Sequence, residues 1–235
     1  MRTYPGDDPR LRSAGTRRAA ASSLRSGRLV LAPADFHYAV ITDAFSAPGV
    51  AKMREVRGIP DGSAIPVFVD RRTTMHALWG RVPRDAELLA RAFWPGPLTL
   101  IGRPQLSLAW TAGVADAVAL RMPLHPWMLQ LVADVGGHGH RCAGPGEPPP
   151  TELADCDARG VSIGLDGGRL PGGPASVVDL RSGVEVVREK GAIPAEEVLA
   201  AVGEASLRNH APEGCQYLSP GSDECLPASR HTGAS

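Results

Sequence analysis

Apolar residues recur along this chain in short blocks of two kinds, and the blocks alternate. Short, mostly apolar runs read as strands: RLVLAP at 28–33, AIPVFVD at 64–70, Leu98 to Ile101, Ala117 to Met122, VSIGLDGG at 161–168, SVVDL at 176–180 and VEVV at 184–187. Between them lie segments with helical spacing. Ser13 to Ser26 forms a helix that Gly27 stops. APGVAKMREVR at 47–57 places Val50, Met53 and Val56 near one face. PRDAELLARAF at 83–93 is amphipathic. HPWMLQLVADVG at 125–136 turns Met128, Leu129, Val132 and Val135 inward before its glycines. PAEEVLAAVG at 194–203 has Pro194 at its start and Gly203 past its end. Strands mixed with helices of these lengths predict one α/β (α+β) domain over about 13–203. Residues 1–12 read as a disordered basic arm and 204–235 as a disordered tail. There is no internal repeat.

Composition narrows this picture. With 235 residues and 43% hydrophobic content, the chain can bury a full core. Its formal net charge is zero, which removes any global pull toward nucleic acid or membrane. The charge is uneven, however. Residues 1–28 hold seven arginines against Asp7 and Asp8, and such an arm can touch RNA phosphates or be merely solvated. No apolar stretch follows these arginines as in an export signal, and none approaches the ~20 residues of a membrane span. Cys142, Cys156, Cys215 and Cys225 form no CxxC pair, so free thiols in a cytoplasmic protein are expected.

Two motifs are specific together. FWPGPLTL at 93–100 ends the amphipathic run in a Trp94-Pro95-Gly96-Pro97 turn, whose prolines fix φ and whose glycine lets the chain reverse. ALRMPLHP at 119–126 carries Arg121 as its strand's one charge, stopped by Pro123. An arginine in an apolar strand points at an anion or is paired. With DAF at 43–45, SVVDL and Arg188 in the same order, the chain resembles the YrdC-like family, the threonylcarbamoyl-AMP synthases, over roughly 13–203. The resemblance implies a twisted mixed sheet with flanking helices, curled around a concave basic cavity. It implies nucleotidyl transfer: ATP, L-threonine and bicarbonate give threonylcarbamoyl-AMP for tRNA threonylcarbamoyl-adenosine modification. ATP enters as a substrate, with or without Mg²⁺, and no tightly bound cofactor is implied.

The family's polar motifs are altered here. Its Pro-Thr-(Glu/Asp)-Thr-x-Tyr-Gly-Leu reads Pro33-Ala34-Asp35-Phe36-His37-Tyr38-Ala39-Val40, so both hydroxyls and the glycine are gone. Its Lys-x-Arg reads Arg57-Gly58-Ile59. Its Ser-Ala-Asn reads Cys142-Ala143-Gly144, and the phosphate-side Ser-Thr reads Ser176-Val177. Each charge-assisted hydrogen bond contributes ~1.5–3 kcal/mol, so the losses add up to much of the stabilisation of charge on the α-phosphate. The resemblance leaves Tyr38, Arg57, Thr99, Arg121, Cys142, Ser176 and Arg188 as nucleotide- and substrate-binding candidates, with no catalytic residue assigned. Arg57, Arg121 and Arg188 would neutralise phosphate or carboxylate. Thr99 and Ser176 would bond phosphate oxygens, and Tyr38 would line the acceptor side. The implied activity is weakened, lost or redirected. The alternative is a non-catalytic module that binds nucleotide, tRNA or double-stranded RNA and regulates an active paralogue.

Three weaker constellations remain. DGGRLPGG at 166–173 is either an anion cradle or a surface loop. His138, His140 and Cys142 alternate and would share a face if extended, with Cys156 or His125 as a fourth zinc-type ligand; the spacing fits no finger pattern, and no metal site is assigned. Asp35 and Asp43 either approach Mg²⁺ or cap a turn and the next helix. Phe36 and His37 are bulky for their positions and would fill space that a substrate uses.

Overall fold

Backbone capping sets the first well-defined unit. A helix over Ala47–Arg57 starts where the Ser46 hydroxyl accepts from the Gly49 N–H (3.3 Å), with Pro48 in its first turn. It stops at Gly58, whose φ of 61° is left-handed. Its buried face is Gly49, Val50, Met53 and Val56, the stripe that the spacing predicts. The computed structural model describes residues 1–4, 14–60, 65–108, 116–136, 138–142, 150–182, 185–186 and 191–203. In chain order these form β1 (Arg2–Tyr4), α1 (Ala14–Arg25), β2 (Leu29–Pro33), β3 (Tyr38–Thr42), α2 (the helix just described), β4 (Val67–Val69), α3 (Thr74–Leu78), α4 (Arg84–Phe93), β5 (Leu98–Gly102), β6 (Val118–Arg121), α5 (Pro126–Val135), β7 (His138–Cys142), β8 (Val161–Leu165), β9 (Ser176–Asp179), β10 (Glu185–Val186) and α6 (Ala195–Val202).

The described strands join one mixed sheet in the order β1-β8-β2-β3-β7-β4-β6-β5-β9-β10. Strand alternation sorts its side chains between two faces. On one face, Val30, Ala32, Ala39, Ile41 and Phe68 pack against Ala20, Ala21 and Leu24 of α1 and Met128, Leu131 and Val132 of α5. The other face holds two clusters. Leu29, Leu31, Tyr38 and Val40 meet α2. Val67, Leu98, Leu100, Leu120 and Val178 meet Met75, Leu89 and Val198 from α3, α4 and α6.

The register carries the first face onward. Phe68 lies opposite Arg121, Arg121 opposite Thr99, and Thr99 opposite Val177. Thr99 and Arg121 therefore share the α1–α5 face of the sheet. Three strands separate β2 from β6, about 19 Å in a flat sheet at ~4.8 Å per strand. Yet Asp35, two residues past β2, hydrogen-bonds Arg121 at the end of β6. The residues that follow β2 and the two long-reaching side chains close that span across the face.

Five differences from the sequence reading stand out. Arg2–Tyr4 is not disordered: it adds a parallel edge strand to β8, and the Asp166 N–H donates to the Tyr4 carbonyl (2.9 Å). YAVIT at 38–42 and His138–Cys142 are strands, and Thr74–Leu78 is a one-turn helix. On α5, Leu131 is buried where Leu129 was expected. The 204–235 tail lies outside the described residues.

Candidate functional site

The two motifs are specific together because they bond to each other. The Gly96 N–H donates to the Met122 carbonyl (2.9 Å), which joins the Trp94-Pro95-Gly96-Pro97 turn to the end of β6. Trp94 Nε1 donates to the Leu98 carbonyl (2.7 Å), and the Ser176 N–H donates to the Pro97 carbonyl (2.9 Å). A side chain at Gly96 would put its Cβ 2.5 Å from the Phe93 carbonyl oxygen. This clasp sets the start of β5 against the end of β6, and so places Thr99 beside Arg121.

Arg121 is the centre of the site. Its side chain is fully buried, as is that of Asp35, and the two form an ion pair through Nη2. Asp35 Oδ1 also accepts from the Leu124 N–H and, at 3.4 Å, from the His125 N–H. Asp35 thus holds the β6–α5 connection as well as the guanidinium. Burial pushes the Arg121 pKa down and Asp35 pushes it back up. Nε and Nη1 of Arg121 have no hydrogen-bond partner among the described residues, and neither does His125 Nδ1. Burial also lowers the His125 pKa, with Asp35 opposing, which favours the neutral imidazole. Thr99, 5% exposed, completes the group. A fully buried guanidinium with unpartnered N–H groups, a hydroxyl and an imidazole nitrogen have the chemistry that matches the oxygens of a carboxylate or phosphate.

The other candidates are engaged elsewhere. The Tyr38 hydroxyl donates to the Gly168 carbonyl (2.8 Å), accepts from the Gly167 N–H (2.7 Å) and lies 3.1 Å from Asp166 Oδ1. Burial raises its pKa well above 10, so it is a neutral strut of the glycine loop. Its side chain belongs to the α2 cluster, on the face away from Arg121. The Ser176 hydroxyl donates to the Ile193 carbonyl (2.7 Å) and accepts from its N–H (2.9 Å). Arg57, 8% exposed, reaches the Asp157 carbonyl (3.4 Å) and carboxylate (3.7 Å) through Nη1, and its Nε has no partner among the described residues. Ile59, in place of the family's second cation, is buried in the same apolar cluster as Tyr38. The backbone of Cys142 pairs with Val40, while its side chain and all of Arg188 lie outside the described residues.

The glycine loop is not an open cradle. Its amides at Gly167, Gly168, Leu170 and Gly172 donate to Tyr38, Asp166, Thr151 and Phe36. Asp43 accepts from the Phe45 N–H (3.0 Å) in a local turn, and Ser46, not Asp43, caps α2. His37 is fully buried, so its bulk lies in the interior; Phe36 is partly exposed. Burial raises the Cys156 thiol to about 11, with Arg57 opposing, which keeps it protonated at neutral pH. The described residues contain no cluster of three metal-ligating side chains; the side chains of His138 and His140 lie outside them. The sequence left Arg121 either facing an anion or paired, without naming Asp35, and offered His125 only as a possible metal ligand. The signal was present: a buried charge requires a counter-charge, and Asp35 is the one acid in the preceding strand–turn motif.

Fold, clasp and site together define a known class. The family model Sua5/YciO/YrdC, described as telomere recombination, matches residues 22–190, and the chain belongs to that family. A putative threonylcarbamoyl-AMP synthase of Mycobacterium tuberculosis is 32% identical over 207 residues, covering 86% of this chain and 95% of that protein. The threonylcarbamoyl-AMP synthase of Pyrococcus abyssi is 29% identical over 197 residues, and the match spans 58% of its length. The crystal structure of P. abyssi Sua5 complexed with L-threonine superposes with a TM-score of 0.78 at 26% identity, covering 89% of this chain and 64% of that one. The chain thus resembles threonylcarbamoyl-AMP synthases in sequence and fold. No helix among the described residues is long and apolar enough to cross a membrane.

Proposed function

We propose that this protein binds L-threonine and ATP on the α1–α5 face of its sheet and forms threonylcarbamoyl-AMP, for tRNA modification in the cytoplasm, far more slowly than its family's ordinary rate. The observation that carries the binding half is the buried Arg121, with two nitrogens unpartnered among the described residues, beside Thr99 and His125. Leaving such donors unsatisfied costs about 1–3 kcal/mol each, and a ligand oxygen recovers that. The L-threonine carboxylate or a phosphate oxygen fills the role, and Asp35 keeps the guanidinium in place. In the reaction, the carbamate oxygen of N-carboxythreonine attacks the α-phosphate of ATP and pyrophosphate leaves. Slow turnover follows from what surrounds that step. Ile59 replaces a cation, Ala34 and Phe36 replace hydroxyls, and Tyr38 and Ser176 hold the protein's own backbone. Mg²⁺ arrives with ATP, and no residue of this chain is assigned to it.

Titration calorimetry of the intact chain with L-threonine, and separately with ATP, tests the binding. Thr99→Val removes a hydroxyl without disturbing the Asp35–Arg121 pair and should weaken the bound ligand about tenfold, near the ~1.4 kcal/mol of one hydrogen bond. Absence of heat with both ligands at millimolar concentration would refute the reading.

A further inference from the structure

Asp35 joins two groups that have bonding capacity to spare. Arg121 holds one of its carboxylate oxygens through Nη2, and the Leu124 and His125 N–H groups hold the other. The guanidinium and the residue that carries the imidazole therefore stand one carboxylate apart. Nε and Nη1 of Arg121 and Nδ1 of His125 are buried and have no partner among the described residues. The two groups offer different chemistry. A guanidinium only donates and keeps its charge. A neutral imidazole with its proton on Nε2 has a lone pair on Nδ1 and can take up a proton there. Burial favours that neutral ring, and Asp35, the charge that acts on it, opposes. The charged side chains of α1 that reach α5, Arg17 and Arg25, meet Asp134 instead. That residue is nine positions beyond His125, ~14 Å at ~1.5 Å per residue.

We propose that His125 is the base that takes the ammonium proton of bound L-threonine, so that the freed amine can capture bicarbonate. This rests on the reading that the L-threonine carboxylate binds Arg121. An α-amino acid carries its nitrogen two bonds from the carboxylate carbon, so a carboxylate on the guanidinium brings the ammonium toward the imidazole. An ammonium has no lone pair, and near neutral pH that is its prevailing form. Nδ1 takes one proton and the ring becomes imidazolium, while the nitrogen of L-threonine keeps the electron pair. That pair then forms the N–C bond to the bicarbonate carbon. One amine hydrogen and the bicarbonate hydroxyl leave as water, so R–NH₂ + HCO₃⁻ gives R–NH–COO⁻ + H₂O. The imidazolium returns its proton to solvent. The site favours the first transfer at both ends: the Arg121 charge disfavours the ammonium, and the Asp35 charge favours the imidazolium. Asp35 itself is not the base, because both its oxygens already accept hydrogen bonds.

The test isolates this step from phosphoryl transfer. Each carbamate formation expels a bicarbonate oxygen as water and each reversal takes one from solvent, so the cycle washes label out of ¹⁸O-bicarbonate without ATP. With L-threonine bound, the intact chain should accelerate that loss, at a rate nearly level between about pH 7 and 9, above the titration of the imidazole. His125→Asn keeps an amide nitrogen near the Nδ1 position but cannot take the proton. Its rate should be about 100-fold lower at about pH 7 and should climb about tenfold per pH unit as hydroxide takes over. Its calorimetric affinity for L-threonine should stay within about threefold of the native value. A melting curve establishes that the variant is folded, and the native profile tests the proposal even if it is not. A variant that matches the native rate and profile, a folded variant that no longer binds L-threonine, or a native rate that itself climbs about tenfold per pH unit would overturn the proposal. No label loss beyond background from a native chain that binds L-threonine would overturn it too, and would leave the substrate reading standing. Absence of L-threonine heat with the native chain would refute that reading, and this proposal with it.

Discussion

At the scale of single residues, what decides this protein is where each polar group finds its partner. Arg121 and Tyr38 sit on motifs of equal prominence in the sequence, yet they differ in kind. Arg121 keeps two donors without a partner among the described residues, whereas the Tyr38 hydroxyl is fully engaged with the 166–168 backbone. Tyr38→Phe should therefore cost about 1–3 kcal/mol of stability, since it strands the Gly167 N–H and the Gly168 carbonyl. It should also change the pH dependence. The folded phenol's pKa is raised above its ordinary value of 10.0, so the folded state holds its proton where the unfolded chain releases it. That contribution is fully present below about pH 10 and is lost as pH rises above it. Urea midpoints between about pH 8 and 11 should fall more steeply for the native chain than for Tyr38→Phe. Equal slopes would mean that Tyr38 ionises freely in the folded protein.

At the scale of elements, the Trp94–Pro97 clasp is the part that the sequence showed best. Its prolines, glycine and flanking apolar runs are local chemistry, and local chemistry is legible. Gly96→Ala places a methyl carbon 2.5 Å from the Phe93 carbonyl oxygen and should destabilise the fold by about 1–3 kcal/mol, read from the shift in urea midpoint. A neutral result would show that the turn shifts freely. The α2 stripe, the amphipathic 84–93 helix and the ends of β5 and β6 were legible for the same reason: period and punctuation lie within the element. The strand at 38–42 was not, because YAVIT follows a turn motif closely and reads as its continuation. On α5, Leu131 takes the buried place expected of Leu129, since Met128, Leu129, Leu131 and Val132 crowd the same turns and only packing chooses. The edge strand Arg2–Tyr4 exists only through its pairing with β8, a long-range contact with no local pattern.

At the scale of the molecule, the strand order makes the site. Asp35, from the turn after β2, reaches Arg121 past three intervening strands, which no local pattern announces. The sequence displayed the altered family motifs but not their consequence, which depends on which polar groups the fold engages internally. The 166–173 loop shows this most clearly. Its glycines suggest an anion cradle, yet the fold directs four of its amides to protein oxygens. We therefore propose a retained anion site beside a depleted transfer machinery. The most direct test is the rate of pyrophosphate release from ATP, L-threonine and bicarbonate, measured beside the P. abyssi synthase under the same conditions. We predict a rate at least ~100-fold lower, equivalent to about 2.7 kcal/mol of lost transition-state stabilisation. A rate within about tenfold of that relative would contradict the account.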